Sequence, residues 1–183
     1  MAQSEQITPS ALQELLGNGK LAGSWTLDAA RSEIALKSKS MWGMLAVKGV
    51  FREVTGSGTV SAAGDVTGTI TVAAGSIDTK VKKRDEHLRS AHFFDAASYP
   101  DITFTAQQVT PSGEGATVTG ALTVRDQTRP VSFPVRVSGF DGARVELDGE
   151  IQVNRADYGL TWNQLGMTSM NNTITVHAVF TRQ

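Results

Sequence analysis

Residues 144–153 read RVELDGEIQV, and this stretch decides the fold. Val145, Leu147, Gly149, Ile151 and Val153 alternate with Arg144, Glu146, Asp148, Glu150 and Gln152. A period of two puts one set on a buried face and the other in water, the signature of a half-buried antiparallel strand. Asp141-Gly142 just before it is a hairpin turn signal. The pattern continues outward in both directions. Upstream are Val131, Phe133, Val135 and Val137, and before them Val118, Gly120, Leu122 and Val124. Downstream are Ile174, Val176, Ala178 and Phe180.

Further back the same period marks Trp25 and Leu27, Ile34 and Leu36, and Val47, Gly49 and Phe51. It marks Val66, Gly68, Ile70 and Val72 as well, and Ile102, Phe104 and Ala106. Most connections are too short for crossover helices, so the strands are neighbours in an antiparallel sheet. Many long strands in one domain need their edges managed, and closure into a barrel does that. At about eight strands a barrel is filled by side chains or holds one small ligand. The inward sets include Gly49, Gly68, Ala106, Gly120, Gly149 and Ala178. These small residues either leave an elongated apolar cavity or mark bulges and bends, and spacing leaves both open. If the path runs past Gly120, a phenylalanine there blocks ligand uptake.

The totals agree with one globular domain. The chain has 183 residues, a net charge of −1 and no cysteine. Disulfides and thiol chemistry are excluded. The charge argues against nucleic acid as a partner, because phosphate binding needs a basic excess. No run approaches the length of a membrane span. The N-terminus has no basic region followed by a continuous apolar run, so the expected place of work is the cytoplasm. Residues 1–22 read as an extension with a short helix: Thr8 as N-cap, Pro9 at the first position, Ile7 and Leu12 as a staple, and Gly17 as the stop. Its leucines should dock on the main body, residues 23–183, or on a partner.

Strand alternation is interrupted by Ser76–Phe104, SIDTKVKKRDEHLRSAHFFDAASYPDITF. Thr79 to about Ser90 predicts a helix, within an insert of about 79–94. Lys80, Lys83, Arg84 and His87 fall on one side of it. The stripe suits an anionic headgroup or a solvated face, with Arg84 and Asp85 paired to neighbours. Of Phe93 and Phe94, one is expected to enter the barrel end and the other to pack under the turn. Catalytic constellations are sparse. There is no Gly-x-Ser-x-Gly elbow, and Asp85 and His87 diverge on a helix. His87 and His92 are poorly spaced as metal ligands, and His177 points outward. No metal, cofactor or catalytic residue is expected. A small hydrolase or isomerase using His87, or an interaction module, is the alternative reading.

The chain resembles the YceI-like, polyisoprenoid-binding family. The resemblance rests on Trp25-Thr26-Leu27-Asp28, Ser76-Ile77-Asp78-Thr79, Lys83 to Ser90, Phe93-Phe94-Asp95, Tyr99-Pro100, Ile102-Thr103-Phe104, Gly120 to Val124 and Asn154 to Leu160. It implies an all-β, lipocalin-like antiparallel barrel that holds a long isoprenoid chain, quinone-like or polyprenyl, in many members as a homodimer. Many members carry an Arg-His pair after the second strand, whereas this chain has Lys39-Ser40 followed by Met41-Trp42-Gly43-Met44. The expected cavity residues are Leu36, Trp42, Val47, Phe51, Ile70, Val72, Leu88, Phe93, Phe94, Phe104, Leu122, Phe133, Leu147, Ile151, Trp162 and Ile174. The expected headgroup contacts are Lys83, Arg84, Asp85 and His87.

Overall fold

The computed structural model describes residues 5–163, 166 and 168–183. Its strands are β1 (Gln6–Ile7), β2 (Gly23–Leu27), β3 (Glu33–Ser40), β4 (Leu45–Phe51), β5 (Val54–Val60), β6 (Val66–Ala73) and β7 (Ile77–Asp78). They continue with β8 (Asp101–Ser112), β9 (Gly115–Val124), β10 (Gln127–Ser138), β11 (Arg144–Asn154) and β12 (Asn171–Arg182). Two α-helices accompany them, α1 (Pro9–Gly17) and α2 (Lys82–Arg89).

The wall is an up-and-down antiparallel barrel. Strands β2 and β3 run end to end against β12, interrupted by a 3-10 turn at Ala29–Arg31. Strands β4 and β5 run end to end on their other side. The meander continues through β6, β8, β9, β10 and β11, and β11 pairs with β12 to close the ring. Counted this way the barrel has eight walls and no free edge between them. Alternation is cleanest along β9, where Ala116, Val118, Gly120, Leu122 and Val124 are buried in turn.

One wall segment was not legible. VTGSGTV at 54–60 carries two glycines where apolar residues would mark the inward face. It is a strand because β2 and β6 pair with it on both sides. Here tertiary pairing overrides weak local propensity.

The two ends are closed differently. At one end Thr8 Oγ1 accepts from Ala11 N at 3.2 Å and Pro9 opens α1, as the sequence predicts. The helix stops at Gly17, and the left-handed Gly19 (φ +77) turns the chain back. Leu12 and Leu16 are buried among Leu21, Trp25, Val118 and Val137, so the helix packs into the barrel end. Strand β1 pairs with Val137 and Ser138 and pins the helix start.

At the other end sit α2, the 155–163 segment and the β3–β4 hairpin. The insert helix begins at Lys82, later than predicted, because Lys80 adopts a left-handed φ of +68. Both Phe93 and Phe94 turn inward, 7% and 4% exposed, which corrects the expectation that only one would. The reason is that 90–95 is a coiled turn, not a regular element. Phe93 N donates to Ser90 O, Phe94 N to Leu88 O, and Asp95 takes φ +49. Among the described residues no helix is long and apolar enough to cross a membrane.

Candidate functional site: an apolar cavity in the barrel

A cavity of about 250 Å³ occupies the barrel interior. Its length is set by the two closures: Leu12, Leu16 and Leu21 at the α1 end, Phe93, Phe94 and Leu160 at the α2 end. Between them the register aligns a row of small residues across neighbouring strands. Gly58 pairs with Gly68, Gly68 with Ala106, and Ala106 with Gly120. Gly58, Gly68 and Ala106 line the cavity, as does Ala178 on β12.

Gly120 does not line it. A Cβ there would collide with the Thr105 carbonyl oxygen and press on the Phe104 ring at 2.9 Å. The β8–β9 register shifts between Ala106 and Gln108, beside this glycine. A phenylalanine at 120 would therefore break strand pairing before it blocked any ligand, which corrects the sequence-based expectation. Gly49 and Gly149 also lie off the cavity, against Ile77 and Val135. The two sequence readings of the small residues thus divide between positions: Ala106 and Ala178 line the cavity with little bulk, whereas Gly49, Gly68, Gly120 and Gly149 permit close approach.

Of the expected cavity residues, Leu36, Phe51, Ile70, Val72, Phe93, Phe94, Phe104, Leu122, Phe133, Leu147, Ile151 and Ile174 line it. Trp42, Val47, Leu88 and Trp162 do not, and each departs for a local reason. Trp42 sits on the β3–β4 hairpin turn and is 63% exposed. Val47 lies on the same hairpin, beyond Lys37, the last β3 residue that pairs with β12. Leu88 packs against the outer side of the core from α2. Trp162 tilts over the His87 ring, with centroids 4.2 Å apart.

The expected headgroup residues are mostly occupied with the protein itself. Buried Asp85 Oδ1 accepts from Thr79 N at 2.8 Å and Thr79 Oγ1 at 2.5 Å. Arg84 Nε donates to Thr79 Oγ1 at 2.8 Å and its Nη2 to Thr79 O at 2.9 Å. The Arg84–Asp85–Thr79 knot fixes the entry to α2, so Arg84 and Asp85 do not face a ligand in this arrangement. Lys83 is exposed on the helix. His87 Nε2 is buried without a hydrogen-bond partner among the described residues, and burial followed by the charge of nearby His92 pushes its pKa below 6.5.

Sequence reasoning missed three buried residues with polar groups on the cavity wall: Arg155, Tyr158 and Asn172. Arg155 is 2% exposed. Its guanidinium donates to Leu160 O and Trp162 O at 2.7 Å, to Ser169 O at 3.0 Å and more weakly to Thr168 O at 3.4 Å. It also lies 5.5 Å from the Phe93 ring centroid. Its pKa is lowered by burial. Burial raises the Tyr158 pKa, with the Asp157 charge adding to it. The only sequence signal for Arg155 and Tyr158 was their place in the Asn154–Leu160 motif, and Asn172 lies outside it. No group of three or more His, Cys, Asp or Glu among the described residues could hold a metal.

Comparison with known proteins agrees with this architecture. Residues 25–181 match the family model of the YceI-like domain. Proteins called YceI from Salmonella strains, including Salmonella arizonae and Salmonella newport, are 33% identical over 97 residues. That alignment covers 50% of this chain and 51% of theirs, so the chain spans about half the length of the curated relatives it matches. The crystal structure of BcnA from Burkholderia cenocepacia superposes with a TM-score of 0.76 at 25% identity, covering 84% of this chain and 98% of that one. A polyisoprenoid-binding domain from Saccharophagus degradans, implicated in plant cell wall breakdown, superposes with a TM-score of 0.70. It is 17% identical, with 87% of this chain and 98% of that chain covered, and shows the fold alone.

Proposed function

The chain belongs to the YceI-like family, and from that premise we propose that it is a binding protein that sequesters one long isoprenoid-type lipid, polyprenyl or quinone-like, inside the barrel. One observation carries the reading: an apolar cavity of about 250 Å³ runs through the barrel interior between the two closures. Such a space offers water few polar partners and offers an apolar chain dispersion contacts along its length. The polyisoprenoid-binding domain of Saccharophagus degradans has the same fold and is consistent with this choice of ligand class.

The cavity is read as a place of storage or carriage and not of catalysis. His87, the base an enzyme reading would use, is packed against Trp162, while the neighbouring Asp85 is turned to Thr79. A cytoplasmic place of work and a homodimer belong to the same proposal, and cell fractionation and sedimentation equilibrium check them.

The test is native purification, organic extraction and mass spectrometry of the extract. We expect a stoichiometric isoprenoid. An empty extract, together with no rise in Tm on adding an isoprenoid quinone, overturns the reading.

A further inference from the structure

The β3–β4 hairpin has a feature that the cavity does not explain. Beyond Lys37 it no longer pairs with β12, and Ser169 N donates to Lys39 O at 2.9 Å. Its turn is built from Met41, Trp42 and Gly43 at φ +52, +54 and +90. Two consecutive non-glycine residues in the left-handed region are strained, and such strain persists where it serves a purpose. The turn exposes large apolar side chains: Met41 42%, Trp42 63%, Met44 79% and Leu45 47%. At the same end of the barrel Trp162 is 38% and Val81 46% exposed.

The same end of the barrel carries a basic excess. Segments 37–46 and 80–89 carry Lys37, Lys39, Lys80, Lys82, Lys83, Arg84 and Arg89 against only Asp85 and Glu86, in a chain whose net charge is −1. Asp85 is buried, and Lys80 lies 3.5 Å from Asp78. Among the described residues Lys37, Lys39, Lys82 and Lys83 have no carboxylate within ion-pair distance.

We propose that this end of the barrel docks on the surface of an anionic lipid bilayer. Trp42, Met44 and Leu45 enter the interfacial layer, where an amphipathic indole is at home, and the lysines meet anionic headgroups. The lysine collar selects a bilayer over a protein partner. Lysine is depleted from protein interfaces, whereas each lysine near an anionic leaflet adds attraction. The docked end is the one closed by Phe93 and Phe94. If the cavity holds a lipid, as proposed above, docking sets that closure against the membrane. The surface itself is read independently of any cargo.

The experiment is co-sedimentation of the full chain with vesicles of phosphatidylcholine, with and without phosphatidylglycerol. We expect binding to the mixed vesicles, loss of it in high salt, and a blue shift of emission that Trp42→Phe abolishes. Combining Trp42→Ser, Met44→Ser and Leu45→Ser should weaken binding at least about tenfold. Lys82→Glu with Lys83→Glu, on an exposed helix face, should weaken it with Tm unchanged. No binding to mixed vesicles, or equal binding by both variants, overturns the proposal. So does a wild-type dimer that the triple serine variant converts to monomer, which would assign the surface to a second copy. The assay gives its answer whatever the extract contains, so the two proposals can fail separately.

Discussion

The two ends of this barrel are held shut by different means. The α1 end is closed by apolar docking alone: Leu12 and Leu16 enter from a short helix that lies outside the family-matched residues 25–181. At the α2 end the apolar plug of Phe93, Phe94 and Leu160 is held in place by polar work done out of water. There Arg155 gathers the carbonyls of Leu160, Trp162, Thr168 and Ser169, and the Arg84–Asp85–Thr79 knot anchors the helix. Apolar docking is graded and tolerant, because each lost methylene costs a similar amount. A buried guanidinium network is all or none, because removing its centre strands every acceptor at once. The end with the polar network is also the one that carries the exposed apolar hairpin and the basic segments.

The contrast makes three graded predictions. The largest effect should come from Arg155→Leu. It leaves several carbonyls without their donor, and urea unfolding should report a loss of about 3–5 kcal/mol, by analogy with breaking a buried charged network. A loss below about 1 kcal/mol would mean that water replaces the guanidinium and the end is not dry.

Leu16→Ala should cost less, about 2–4 kcal/mol, as expected for a leucine 7% exposed in a well-packed cluster. The same variant should speed release of a bound apolar dye, since Leu16 lines the cavity at that closure. Unchanged release would place the exit at the Phe93–Phe94 end.

The smallest effect is pH-dependent. His87 has a pKa below its ordinary 6.5 because the folded site disfavours the charged ring. Between that lowered value and 6.5 the unfolded chain binds more protons than the folded one, so stability must rise with pH in this window and fall on acidification. We expect Tm to drop as pH is lowered from 6.5, with quenching of Trp162, whose ring lies 4.2 Å from His87. His87→Gln should flatten this part of the profile. An unchanged slope would assign the acid sensitivity elsewhere.

Much of the fold was legible because a strand encodes its two faces at a period of two, and residues 144–153 do so without a break. The N-terminal helix was legible from its cap, proline and stop. Strand β5 was not, since Gly56 and Gly58 have no side chains to show a face, and only pairing with β2 and β6 makes it a wall. Most expected cavity residues line the cavity because they were inward positions of clear strands. Trp42, Leu88 and Trp162 were chosen for size and apolarity on hairpin, helix or loop, where no strand period fixes direction, whereas Val47 has the right strand period but lies beyond the part of β3 that pairs with β12.

By itself the sequence determined an antiparallel barrel, the inward set of each clear strand and the capped leading helix, since these follow from local periodicity and local hydrogen bonding. Only the tertiary structure decided that the barrel is hollow, that both phenylalanines turn in, and that Arg155 is buried. The hollow interior depends on which inward positions the register brings level across strands, as it does Gly58, Gly68 and Ala106. Burial of Arg155 depends on how the loop that follows it folds back, bringing the carbonyls of Leu160, Trp162, Thr168 and Ser169 onto one guanidinium. Register and loop path are relations between residues, and no side-chain period carries them.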